Sequence, residues 1–337
     1  MNARPAYVSV LDPISPAIAR VRTVLFRPFD LGKWFVIAFS AWLARLGTGG
    51  GNGGGGNRGG GSAHRTDDIP GELRHAYEVS RDYVAANWHW ILPAAIFALI
   101  AVVTVWLLVT WLSSRGRFTF LYCVAQDKGE FWNPWRLLQP HGNSLFGFRV
   151  ILGLVTFFTA AAFLAAGGVL AFFAHQTLGF TVVTILGLVM CGLLFFASII
   201  VFGVADWFTT DFVVPIMYLH NLRCSRAWRM LLEVLSVNRA RFFVYLLFQI
   251  VIRIALFSIM IALMCFCCVA CCLIMLPFVG TVVLLPLIVF ERAYSLYYLA
   301  QYGPQFNVFP PEPEPEPEVV EPSPGGPAEQ YLSSGQT

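Results

Sequence analysis

The chain has 337 residues, of which 57% are hydrophobic and only 12% are charged, and its mean hydropathy is +0.68. A soluble domain usually carries about 25% charged residues. Too few polar side chains are present to cover a water-exposed surface of this size, which excludes a soluble enzyme or binding domain. The composition predicts a protein whose main solvent is the lipid bilayer.

Apolar stretches along the chain predict the membrane crossings. A transmembrane helix needs about 20 mainly apolar residues. Four long stretches meet this requirement: 90–112, 148–174, 180–205 and 242–290. The last is too long for one crossing, so we expect it to fold back near residues 265–272. The shorter stretch 34–46 gives six crossings if it spans, and the alternative is a helix in the membrane interface.

Lysine and arginine residues orient these crossings. They cluster in the connections 113–147 and 206–241, whereas 175–179 and 265–272 contain neither residue. Because basic connections stay in the cytoplasm, we predict a bacterial inner-membrane protein with both termini cytoplasmic. Its basic residues are scattered between apolar stretches, so membrane lipids are the expected partners and nucleic acid is not.

Three cytoplasmic segments carry apolar residues at helical spacing. These residues are Ile18, Val21 and Leu25; Phe118, Leu121, Tyr122 and Ala125; and Trp228, Leu231, Leu232 and Leu235. Such a stripe with basic neighbours favours a helix in the inner headgroup layer. The predicted fold class is therefore all-α: a polytopic helical membrane bundle of about six transmembrane helices with cytoplasmic interfacial amphipathic helices.

Composition divides the chain into four parts. Residues 1–46 form an interfacial helix and the short first crossing, 47–88 form a glycine-rich external loop with an amphipathic segment, and 89–302 form the membrane core. Residues 303–337 contain six glutamates and no lysine or arginine. We expect a disordered tail rich in proline and glutamate there, and we expect it to act as a solvating tail. The alternative is a docking segment for a protein partner at 303–337.

Three stretches carry a resemblance to a known family: LFRPFDLGKWF with AWLARLG, DFVVPIMYLHNLRCSRAW, and LPFVGTVVLLPLIVFERAYSLYYLAQYGP. They resemble an uncharacterised family of bacterial multi-pass membrane proteins, over most of residues 14–305. That family is itself similar to the membrane domains associated with glycerophosphodiester phosphodiesterases. The resemblance implies the helical membrane architecture and carries over no catalytic residues.

Arg253 is the charge that the apolar pattern explains least well. It lies about eleven residues into the stretch that begins at Phe242, which places it about 16 Å deep. A lone charge at this depth is costly and should face protein or water. Glu291 and Asp206 are candidate partners, and Gln249 lies one helical turn away. We predict an intramembrane polar site of these four residues, with a structural ion pair or a snorkelling arginine as the alternative.

Five cysteines crowd into one apolar stretch: Cys265, Cys267, Cys268, Cys271 and Cys272. Thiolates at such spacing can bind copper or zinc, but no His, Asp or Glu stands near them. They are weak metal candidates, with a disulfide or redox role as a further alternative. We expect them to pack as small apolar side chains, and we predict no metal and no cofactor.

The sequence gives no nucleophile–base pair, paired carboxylates or HExxH motif where soluble chemistry could occur, so we predict a protein that is not an enzyme. The leading hypothesis is an integral inner-membrane protein that binds or moves a lipid or small solute within the helix bundle. The alternative is a structural or assembly protein that recruits a partner through its interfacial helices or its acidic tail.

Overall fold

The computed structural model describes residues 8–46, 79, 83, 85–177, 182–266 and 277–309. Within these residues the chain forms helices joined by turns and contains no β-strand, so the predicted all-α class is confirmed for this part. The predicted external loop, the cysteine-rich segment and the acidic residues after Phe309 lie almost entirely outside the described residues.

The described part of the chain contains the following helices in chain order. They are α1 (Ile14–Phe26), α2 (Leu31–Arg45), α3 (Trp88–Gln126), α4 (Trp132–Leu137), α5 (Gln139–Thr177), α6 (Val182–Phe208), α7 (Val214–His220), α8 (Cys224–Val237), α9 (Arg239–Phe266), α10 (Pro277–Val283) and α11 (Leu285–Ala300). A π-helical turn, Thr209–Val213, joins α6 to α7, and a 3₁₀ turn, Pro304–Phe306, follows α11.

Four helical runs in the described chain are long and apolar enough to cross a membrane. They are Trp88–Gln126, Gln139–Phe173, Val182–His220 and Arg239–Ala262. These runs contain nearly all of the first three predicted apolar stretches and the first part of 242–290. The predicted total of six crossings goes beyond these four, and the expected fold-back near 265–272 lies almost wholly outside the described residues.

The membrane-length helices project from a packed helical body. In α3, most side chains between Trp90 and Leu108 are exposed and apolar, whereas most between Ser113 and Ala125 are buried. The same change occurs along the run from α6 to α7. Exposed apolar surface of this extent suits contact with lipid. The segment after residue 112, predicted as a connection, therefore begins as a buried continuation of α3.

α2 lies antiparallel to the buried part of α3. Ser113 Oγ donates to the carbonyl of Ala44 at 3.0 Å, and Lys33 Nζ lies 2.8 Å from Asp127 Oδ1. Thus α2 runs beside the buried part of α3 and not beside its exposed apolar part. Its 15 residues rise only about 22 Å. Residues 34–45 therefore pack on the body, and their crossing of the membrane stays a prediction.

The predicted amphipathic stripes face the core only in part. Phe118, Leu121 and Ala125 are buried, as expected for the stripe on α3. On α1, by contrast, Leu25 is buried while Ile18 is exposed. The stripe on α8 is divided in the same way, because Leu231 is buried and Leu232 is exposed. α1 and α8 therefore keep apolar surface outside the body.

An aromatic cluster joins α9, the π-helical turn and α11. The ring centroids of Tyr245 and Tyr298 are 4.4 Å apart, and those of Phe212 and Phe242 are 5.3 Å apart. Aromatic pairs contribute about 0.5–1.5 kcal/mol each beyond their burial. This cluster therefore fixes the relative position of the three elements that carry much of the candidate site.

The chain after α11 returns to the body. Phe306 and Val308 are buried, and Phe309 stacks on Tyr297 with ring centroids 4.2 Å apart. These residues belong to the segment predicted as a disordered tail from residue 303. That boundary is too early, because residues 303–309 pack as part of the folded body.

Gly116 permits the close approach of α3 and α2, and this yields a stability prediction. A Cβ at Gly116 would lie 2.7 Å from the Ala44 nitrogen and from Leu43 Cβ. Gly116→Ala should therefore lower stability by about 1–3 kcal/mol, because the backbone of α2 must shift. Thermal unfolding of the detergent-purified protein measures the effect.

The matched control is Gly192→Ala on α6, where an added Cβ meets no atom within 4 Å. Alanine also favours helix over glycine by about 1 kcal/mol, so this variant should be neutral or slightly stabilised. Equal melting temperatures for the two variants would contradict the close α2–α3 packing.

Candidate functional site

Seven charged side chains gather near the junction between the exposed apolar helices and the packed body. We call them the charged centre: Arg117 on α3, Arg149 on α5, Asp206 on α6, Asp211 in the π-helical turn, Arg253 on α9, and Glu291 and Arg292 on α11. Four arginines face three carboxylates, so the centre carries a net charge of +1 when every group is ionised.

Asp206 joins two arginines of the charged centre. Its Oδ2 lies 3.3 Å from Arg117 Nη2, and its Oδ1 lies 3.2 Å from Arg149 Nε. The arginine side chains are only 3% and 9% exposed, so both buried cations depend on this carboxylate. The sequence suggested Asp206 as a partner of Arg253. Asp206 instead forms ion pairs with arginines of α3 and α5, because these helices flank the body end of α6.

Arg253 forms the ion pair that the sequence suggested. Its Nε lies 3.0 Å from Glu291 Oε1, and its guanidinium lies 4.0 Å from the ring centroid of Trp207. Trp207 is the penultimate residue of α6, so Arg253 is level with the body end of that helix. The Arg253 side chain remains 47% exposed, whereas that of Glu291 is 21% exposed.

Asp211 is buried between α9 and the body end of α6. Its Oδ2 accepts hydrogen bonds from Trp207 Nε1 at 2.7 Å and from the Tyr245 hydroxyl at 3.0 Å. Asp211 also lies close enough to Arg253, Arg292 and Glu291 for electrostatic interaction. It therefore links the Arg253–Glu291 pair to the rest of the charged centre. The π-helical turn that carries it is a feature often found at functional sites.

Arg292 and Gln249 leave buried polar atoms without partners among the described residues. Arg292 Nη1 donates to the carbonyl of Thr210 at 2.6 Å, but its Nε and Nη2 find no acceptor. Arg117 Nε and both polar side-chain atoms of Gln249 also lack a hydrogen-bond partner. Buried polar groups are nearly always hydrogen-bonded, so these five atoms point to water or a ligand.

Gln249 lies one turn from Arg253, as the sequence suggested, but it is not part of the ion pair. It lies on α9 one turn from Tyr245 and one turn from Arg253, and it is fully buried. It does not join the Arg253–Glu291 pair by a hydrogen bond. A narrow crevice lies nearby beside Asp211, and it is too narrow to admit a water molecule. The side chains around Asp211 are thus tightly packed.

Sequence reasoning missed three arginines of this centre and also Asp211. Arg117 falls in the basic connection 113–147, and Arg149 is the second residue of the apolar stretch 148–174. Arg292 offers the clearest signal, because Glu291 and Arg292 directly follow the apolar stretch 242–290 and precede further apolar and aromatic residues. Two adjacent charges between apolar residues indicate buried partners on other helices.

The described residues contain no group of three or more His, Cys, Asp or Glu side chains arranged to hold a metal ion. Cys224 lies on α8, and burial raises the pKa of its thiol to about 12, so it stays protonated and is a poor metal ligand. The side chains of the five clustered cysteines lie outside the described residues, so their role remains a prediction.

Asp206 provides a stability test of the charged centre. Asp206→Asn should lower stability by about 3 kcal/mol, because it leaves Arg117 and Arg149 buried without a carboxylate. The control is Asp127→Asn, which breaks the more exposed Lys33 pair and should cost less than about 1 kcal/mol. Thermal unfolding in detergent compares the stability of the two variants. An equal loss of stability would contradict the role of Asp206 as the shared partner of two buried arginines.

Comparison with known proteins gives one family and no relative of established activity. No curated protein and no solved structure matches the chain. The likeness to membrane domains associated with glycerophosphodiester phosphodiesterases therefore stays a prediction. A family model described as "Family of unknown function (DUF7544)" matches residues 8–285. The chain, with its apolar helices and charged centre, is thus a member of the DUF7544 family.

Proposed function

We propose that this chain is an integral membrane protein that binds a lipid or a small solute at the charged centre. Eight buried side-chain polar atoms have no partner among the described residues, and five of them belong to Arg117, Arg292 and Gln249. These five atoms, in the charged centre and on α9 beside it, carry the proposal. A buried polar network that is only partly satisfied costs stability, and a bound molecule would supply the missing hydrogen bonds.

Two side chains give a ligand access to the charged centre. The side chain of Arg253 is 47% exposed and that of Asp206 is 32% exposed. Both lie near the level at which the exposed apolar surface gives way to the body. A lipid headgroup beside the helices, or a solute arriving from the body side, would meet these residues first. Movement of the ligand through the bundle would require the crevice beside Asp211 to open.

The carboxylates of the charged centre support a binding role over a catalytic one. Asp206 is held by two arginines, Glu291 by Arg253, and Asp211 by the donors of Trp207 and Tyr245. A general base needs a free carboxylate or imidazole within reach of the substrate proton. We therefore propose a protein that is not an enzyme.

We further propose that the packed body faces the cytoplasm of a bacterial inner membrane. The projecting part of α3, 90–112, contains no lysine or arginine, whereas the body carries many. The two described ends of the chain also meet. Ser9 N donates to Gln301 Oε1 at 2.8 Å, and Gln301 Nε2 donates back to the Ser9 carbonyl at 3.0 Å. This contact supports both termini on one side, and the count of six crossings stays a prediction.

Alkaline phosphatase fusions test the orientation. A fusion after residue 337 should be inactive, because that enzyme needs the oxidising outer compartment, and an insertion after residue 178 should be active. Immunoblots of both fusion proteins control for expression. The reverse pattern would overturn the proposed orientation.

Arg253 tests the proposed ligand site. Arg253→Leu should reduce the amount of lipid or small solute that co-purifies with the full-length protein by about tenfold, which corresponds to one lost charged contact. Native mass spectrometry and analysis of the extracted molecules measure the loss. Arg253→Lys, which keeps the charge, should retain part of the binding.

Arg136→Leu on α4 is the matched control, because this exposed arginine lies outside the charged centre. It should leave the bound molecules unchanged. The proposal fails if wild-type protein retains no molecule, or if Arg253→Leu retains as much as wild type.

A further inference from the structure

Arg292 presents an unused hydrogen-bonding edge inside the body. The side chain is buried, and Nη1 is fixed by the Thr210 carbonyl at 2.6 Å. The atoms left without partners among the described residues are Nε and Nη2. These two nitrogens form the side-on fork of a guanidinium, which matches two oxygens of a carboxylate or phosphate.

Arg117 places a second free donor near this fork. Arg117 Nη2 binds Asp206, and Arg292 Nη1 binds the Thr210 carbonyl. Thr210 follows Asp206 by four residues, and its Oγ1 donates to the Asp206 carbonyl at 2.9 Å. Residues four apart on a helix are neighbours on one face, about 5–6 Å apart. The two guanidinium groups therefore approach adjacent turns of one helix, and Arg117 Nε is also without a partner.

The charges around the guanidinium groups of Arg117 and Arg292 favour binding of an anion. Arg117 and Arg292 are close enough to repel each other, although both are almost fully buried. The nearby carboxylates already have partners: Asp206 binds Arg117 and Arg149, and Glu291 binds Arg253. Asp211, which attracts Arg292, accepts hydrogen bonds from Trp207 and Tyr245. Four arginines against three carboxylates still leave one positive charge in excess, and an excess charge in a low dielectric is costly unless an opposite charge offsets it.

From these contacts we infer that the charged centre binds a phosphate group between the Arg292 fork and Arg117 Nε. The inference rests on the proposed function and narrows its ligand to a molecule that carries phosphate. The source is either a phospholipid headgroup or a soluble phosphate compound. Asp206, about a third exposed, lies at the open edge of this site, beside Arg117.

The first arm of the test uses inorganic phosphate. Full-length protein is stripped of lipid in a phosphate-free detergent, and its melting temperature is measured in sodium phosphate and in sodium chloride at equal ionic strength. Phosphate at about 100 times its Kd should raise the melting temperature by roughly 5–10 °C. Arg292→Lys keeps the charge but lacks the fork, so it should weaken phosphate binding about tenfold or more.

The second arm measures phospholipid that remains bound after the same detergent treatment, by phosphorus analysis per protein. Retention by wild type and loss in Arg292→Lys would assign the phosphate to a headgroup. A response to inorganic phosphate alone would assign it to a soluble compound. Arg117→Lys repeats both measurements if the Arg292 variant does not fold.

Arg115→Lys is the matched control. Arg115 is also a buried arginine of α3, but it binds Asn143 and stacks over Trp111. This variant should keep the phosphate response of wild type. The inference is overturned if Arg292→Lys behaves as wild type in both arms, or if wild type shows neither response. Retention of a phosphate-free ligand would overturn the phosphate assignment while leaving the proposed function standing.

Discussion

One carboxylate, that of Asp206, binds two buried guanidinium groups and so holds three membrane-length helices at one level. Lipid chains cannot accept hydrogen bonds, so a buried charge beside them needs a partner from the protein or from a bound molecule. If Asp206 were absent, Arg117 and Arg149 would be isolated charges, each with a desolvation cost of several kcal/mol. The arrangement of α3, α5 and α6 around this carboxylate in turn provides the surface on which α2 and α11 pack.

Features that depend on composition along the chain could be predicted from the sequence. The apolar stretches located the long helices, because exclusion of charge over about 20 residues leaves few other structures. The Arg253–Glu291 ion pair was also predictable, since a lone charge in an apolar stretch requires a partner at similar depth. Hydropathy predicts how deep in the membrane a charged residue lies. It does not show which face of the helix carries that residue, and so which neighbouring helix it meets.

Features that depend on which helices are neighbours could not be predicted. Asp206 had the right depth to reach Arg253, yet α3 and α5 are closer and supply Arg117 and Arg149. Hydropathy also placed the end of the helix near residue 112, where the apolar stretch stops. α3 nevertheless continues through Gln126, because α2 and the other body helices bury its more polar second half. A helix that lipid surrounds must be apolar in composition, whereas a helix that neighbouring helices bury can contain polar residues. Composition alone therefore does not predict the second kind of burial.

The π-helical turn between α6 and α7 changes the helical phase of a single continuous rod. A turn that holds one extra residue rotates everything after it by about 100° relative to an uninterrupted α-helix. Before the turn the rod exposes an apolar surface, and after it Val214, Pro215, Ile216 and Met217 are all buried. The extra residue therefore sets the direction in which side chains after the turn point relative to those before it. The two ends of the rod thus combine side-chain directions that one uninterrupted α-helix could not present.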